Sequence, residues 1–117
     1  MGFRAWGYKS NKVYALSVGS TQVDATTPAG FNNGGNQAVV YNSGSTDVLV
    51  AFYKNSAGVP TLTFPTSGSP PVGESGTVVP KGARVQVSID FNADSFAAIG
   101  SAAGPSIIYV QRGDGST

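Results

Sequence analysis

The side chains here that could do chemistry are few and of narrow kind. The chain has 117 residues and contains no histidine and no cysteine. Without histidine it lacks the one side chain that titrates near neutrality unaided. Without cysteine it lacks thiol nucleophiles, disulfides and thiolate metal ligands. Acid–base work would fall to six carboxylates: Asp24, Asp47, Glu74, Asp90, Asp94 and Asp114. A glycosidase-type pair would need two of them at a set separation, and most fall in segments that read as turns, where aspartate serves the backbone. Neither a Gly-x-Ser-x-Gly elbow nor a Ser-x-x-Lys pair is present. No Gly-x-x-x-x-Gly-Lys-Ser/Thr phosphate loop occurs either. The residues point away from an enzyme, and no cofactor is implied.

Two short motifs invite a binding reading. Asp90-Phe91-Asn92-Ala93-Asp94 copies the first half of a calcium loop. Ser95 and Ser101 stand where that loop needs glycine and a bidentate glutamate, so the strongest ligand is missing. The segment reads instead as an Asx-type turn closing a strand, with no metal site. Arg112-Gly113-Asp114 has the form of an adhesion tripeptide, but three residues of this kind arise easily by chance in a loose end. The third cluster is at the start of the chain. Residues 1–12 hold Arg4, Lys9 and Lys12 with no acid, interleaved with Phe3, Trp6 and Tyr8. Phe3, Arg4, Trp6 and Tyr8 are the candidate partner-contact residues, because aromatics and arginine dominate interface hot spots. The bland alternative is an edge strand whose aromatic side chains cover the end of a sandwich.

These residues must be positioned by strands, since glycines and prolines interrupt every window long enough to show helical periodicity. The clearest strand runs from Ala83 to Phe91, with Val85, Val87, Ile89 and Phe91 on one face and Arg84, Gln86, Ser88 and Asp90 on the other. Val39–Tyr41, Val48–Tyr53 and Ile107–Val110 are apolar on both faces. They read as central strands covered on both sides, which would bury Tyr41, Tyr53 and Tyr109. Weaker strands are expected over Val13–Val18, Thr61–Phe64, Gly76–Val79 and Phe96–Ile99. Asn42–Asp47, Asn55–Gly58 and Val79–Gly82 read as turns. Ser20–Gln37 and Pro65–Ser75 read as long loops of the kind that are functional or order against a partner. The sum is an all-β fold: a single small β-sandwich or jelly roll of about eight antiparallel strands over residues 1–117, with residues 1–12 a contact arm.

Composition bounds the partners. Charged residues make up 11% of the chain, against roughly 25% in an ordinary soluble domain, which suits a surface partly covered by neighbours. The formal net charge of +1 argues against a nucleic-acid binder. No apolar run approaches the roughly 20 residues that cross a bilayer, and the first residues lack the apolar core of a signal peptide. The expectation is a soluble product made in the cytoplasm, with no membrane partner.

Four segments carry a resemblance. They are Asn42-x-Gly44-x-x-Asp47-Val48-x-Val50-Ala51-Phe52, Val79-Pro80-x-Gly82-Ala83, Asp94-Ser95-Phe96-Ala97-Ala98-Ile99-Gly100, and Ile107-Ile108-Tyr109-Val110-Gln111-Arg112-Gly113-Asp114-Gly115. Over residues 38–115 this pattern resembles the small capsid decoration, or cement, proteins of tailed bacteriophages. The resemblance implies a jelly-roll virion protein on the capsid exterior, made in the host cytoplasm. It implies a homodimer or homotrimer that bridges neighbouring major capsid subunits. Many weak contacts acting together across a shell would suffice for that role. The alternative from a different class is a receptor- or glycan-binding β-sandwich module of a phage fibre or tail.

Overall fold

The computed structural model describes residues 4–8, 12–32, 35–67 and 75–116, with side chains for all of these except 4–8 and 114–116. Among the described residues nine strands form: β1 (Arg4–Tyr8), β2 (Tyr14–Val18), β3 (Val23–Ala25), β4 (Gln37–Asn42), β5 (Val48–Tyr53), β6 (Thr77–Val79), β7 (Arg84–Ser88), β8 (Ser95–Gly100) and β9 (Ser106–Ser116). All pairings are antiparallel. One sheet runs β2-β9-β4-β7, with β1 on the same edge of β9 as an additional strand; the other runs β3-β8-β5-β6. From β2 onward the chain changes sheet at every connection except β5 to β6. That order is a jelly roll of eight strands, as the sequence led us to expect.

Alternation explains the simplest strand. In β7, Arg84, Gln86 and Ser88 are exposed while Val85 and Val87 turn inward. The strand ends at Ser88, short of the expected Phe91, because Asp90 starts a turn closed by the Ala93 amide on the Asp90 carbonyl. Phe91 is consequently 61% exposed and does not join the core. β5 is apolar on both faces for a different reason. Val48 and Val50 point into the main core, with Phe52 packed against it, while Leu49 and Ala51 point outward into a second, smaller core with Leu62 and Ala97.

That second core is closed by the segment expected to form a strand over Thr61–Phe64. It makes no ladder; it is a strap across the outer face of the β3-β8-β5-β6 sheet. The Gln22 amide holds it at two points, donating to the Pro60 carbonyl (2.8 Å) and accepting from the Leu62 amide (2.7 Å). The main core is plugged by another loop residue. Phe31 is fully buried, edge-on to Tyr14 (centroids 5.5 Å apart) and stacked on Phe52 (6.1 Å). The expected long loop from Ser20 to Gln37 thus contains both β3 and a core anchor.

Asn42 ties three elements together. Its Nδ2 donates to the carbonyls of Thr46 (2.8 Å) and Val79 (3.1 Å), and its Oδ1 accepts from the Gly44 amide (2.9 Å). Its main chain also bonds Ala83 and Gly82 in the β6–β7 turn. Gly44 must be glycine because a Cβ there would sit 2.5 Å from the Ser106 Cα. Asp47 accepts from the Lys81 amide (3.0 Å). The Asn-x-Gly-x-x-Asp pattern is therefore the hydrogen-bonded corner of the fold.

Candidate functional site

The contact cluster expected near the start of the chain lies on β1, apart from Phe3, which falls outside the described residues. β1 runs against the far end of β9, with Tyr8 opposite Gly113, Gly7 opposite Asp114 and Arg4 opposite Ser116; the register shifts between Arg4 and Gly7. β4 stops opposite Gly113. Beyond that point β1 and β9 form a two-stranded ribbon with no third strand among the described residues. The long axis of the molecule, 48 Å against 31 and 28 Å, accommodates this extension. The structure thus places Arg4, Trp6 and Tyr8 on one five-residue strand of the ribbon.

Arg112 corrects the expected loose tail and gives a structural reason for setting the adhesion reading aside. Residues 112–116 are strand rather than a loose end, and the arginine of the adhesion-like tripeptide is only 1% exposed. Its guanidinium lies over the Phe31 ring at 5.0 Å. Nε donates to the Gly35 carbonyl (2.9 Å), Nη1 to the carbonyls of Phe31 (2.7 Å) and Ala93, and Nη2 to those of Asp90 (3.2 Å) and Phe91 (2.9 Å). An arginine has five N–H donors, and all five are engaged. Burial pushes its pKa down, and the nearby Asp90 and Asp94 carboxylates work against that shift. A side chain so enclosed is not available to a receptor.

The calcium-like segment is the other half of this arrangement. Its carbonyls at Asp90, Phe91 and Ala93 face the guanidinium. Its carboxylates serve the backbone: Asp90 accepts from the Asn92 amide (2.8 Å), and Asp94 accepts from the Asn55 amide (2.8 Å) and the Ser95 hydroxyl (2.9 Å). The Asn55 bond, helped by Ser95 and by the Lys54 charge, holds the Asp94 carboxyl below its ordinary pKa against the opposing pull of burial. Among the described residues no three His, Cys, Asp or Glu side chains gather as metal ligands. A groove of about 380 Å³ opens between the end of β5 and β7, and Asp90 is the one carboxylate among its described lining residues.

The outer face of the β2-β9-β4-β7 sheet holds residues that sequence reading placed in covered strands. Tyr41 is 42% exposed, Tyr109 38% and Ile107 43%. Tyr41 and Tyr109 are directly opposite in the register, their rings 6.3 Å apart and 17° from parallel. The third tyrosine, Tyr53, expected to be buried, is half-buried with its hydroxyl enclosed, and among the described residues that hydroxyl has no hydrogen-bond partner. In Val39-Val40-Tyr41 and Ile107-Ile108-Tyr109-Val110, apolar residues occupy both faces, so residue type hid the alternation that the register reveals. The Phe31 and Arg112 roles were likewise missed, because each depends on residues distant in the chain.

Comparison with known proteins gives little to set beside this geometry. No protein-family model matches the chain, and no curated protein matches it. Among solved structures, a chain described under Bacillus endospore appendages that form a family of disulfide-linked pili is similar over 88% of this chain and 84% of its own. Its identity is 13% and its TM-score 0.43.

Proposed function

We propose that this protein is a structural subunit, without catalytic activity, that decorates and stabilises a phage capsid by bridging neighbouring major capsid subunits on the virion exterior. The observation that carries the reading is the β1–β9 ribbon with Arg4, Trp6 and Tyr8 on its first strand. A two-stranded ribbon is marginally stable alone in water, and its unpaired edges are a template for pairing with another chain. The capsid setting is carried over from the resemblance over residues 38–115 alone. The sandwich supports a rigid spacer, with its polar corner at Asn42 fully bonded and Arg112 fastening two loops to β9. Dimer or trimer formation would let each shell contact stay weak while the array holds.

The test is quantitative mass spectrometry of purified particles, read as copies of this chain per major capsid subunit. A ratio of one or a simple fraction is expected; a handful of copies per particle, or none, overturns shell-wide decoration. Deleting residues 1–12 should abolish binding to undecorated shells while the melting temperature moves only a few degrees. Undiminished binding by that truncation would remove the ribbon from the docking role.

A further inference from the structure

We infer that the outer face of the β2-β9-β4-β7 sheet is a saccharide-binding platform centred on Tyr41 and Tyr109. This stands apart from the capsid reading and draws on different residues. The pairing register lays Ala15, Tyr109, Tyr41 and Arg84 in one row across the four strands. The row beside it is Gln111, Val39 and Gln86. On the other side Ile107 is opposite Ser17, and the Ser43 hydroxyl donates to the Ile107 carbonyl. Two nearly parallel exposed rings thus lie in a field of amides and hydroxyls, with Arg84 at one end.

The two faces of the sandwich differ in how the chain treats them. Apolar residues on the outer side of β5 are sealed by the Leu62 strap, whereas on the tyrosine face Val39 is buried but Tyr41, Ile107 and Tyr109 stay exposed among the described residues. Its occupant follows from size and chemistry. Each exposed side chain shows less than half its surface; taking 150–250 Å² for an aromatic side chain, the three together offer about 250 Å². A stable protein partner needs about 800 Å² per side, so a second copy is poorly served. An extended peptide needs a free strand edge, and β9 and β4 are paired on both sides. A nucleic-acid strand could stack on the rings but requires a basic groove, and Arg84 is the one charged residue in these rows. A pyranose meets the description. Its apolar C–H face packs on a ring, while its hydroxyls can bond the tyrosine hydroxyls and the second N–H of the Gln86 amide, whose first is held by Gln37, and can donate to the Ser43 oxygen, whose own proton is held by Ile107.

The experiment uses the full chain on a glycan array, followed by calorimetric titration with cellohexaose, chitohexaose and an oligogalacturonate. At least one array saccharide should bind. Tyr41→Ala and Tyr109→Ala should each weaken that binding about tenfold, with the cooperative thermal transition kept and lowered by only a few degrees, the cost of one half-covered cross-strand aromatic pair. Tyr41→Phe should retain most of it. If the oligogalacturonate binds best, Arg84→Gln should weaken it selectively. Absence of binding to every saccharide overturns the inference, as does binding that survives the double alanine variant. Concentration-dependent dimerisation relieved by Tyr41→Ala would assign the face to a second copy and overturn it too.

Discussion

A guanidinium carries five N–H donors in a fixed plane, and Arg112 sets every one of them on a main-chain carbonyl. Those carbonyls come from two separate loops, so one side chain fastens the segment around Phe31 and the Asp90–Asp94 turn to β9. The bound group fills the position a cation would take inside a ring of oxygens. Replacing it with an apolar residue strands several buried acceptors. Arg112→Met should therefore cost at least about 3 kcal/mol in urea unfolding. Arg112→Lys should fall between the two, since an ammonium offers three donors and lacks the planar contact with Phe31. Nothing near position 112 in the sequence announces this. The neighbours Gly113 and Asp114 suggest an exposed tail, and the acceptors lie 19 to 81 residues away.

At the scale of elements, the strands that alternate or form compact apolar runs were legible: β5 runs over the expected six residues, and β2, β6 and β8 fall within a residue of expectation. What hydrophobic periodicity could not distinguish was the agent covering a two-faced strand. For β5 the cover is the strap, while for β4 and β9 one face stays open to solvent at the tyrosines. A strap of this kind is held by few contacts and should open independently of the sheets. Leu62→Ala is expected to cost about 2 kcal/mol, at the low end for a buried leucine because the site can collapse. Hydrogen exchange should show the Leu62 amide losing protection before the β5 ladder does. The short β3 was missed because three residues, Val23–Ala25, carry too little pattern. The resemblance motif around Asn42 is explained by bonding within the fold, so those residues report architecture and leave the partner to surface residues.

For the molecule as a whole, the jelly-roll order makes β9 the structural centre of one sheet while placing it after all the other strands in the chain. It pairs with β1, β2 and β4, and β2 ends at Val18 whereas β9 begins at Ser106. A chain stopped after residue 105 leaves β2 without its neighbour and should show no cooperative thermal transition by circular dichroism. The full chain should refold in milliseconds to seconds in stopped-flow experiments, as non-local β topologies do. During synthesis the interval between β2 and β9 is roughly 4–18 s at ribosomal rates of about 5–20 residues per second. Through that interval β2 and β4 present open edges in a nascent chain that cannot yet close its first sheet. The last-made strand thus sets a time window of aggregation risk, during which high-level expression would favour chaperone dependence.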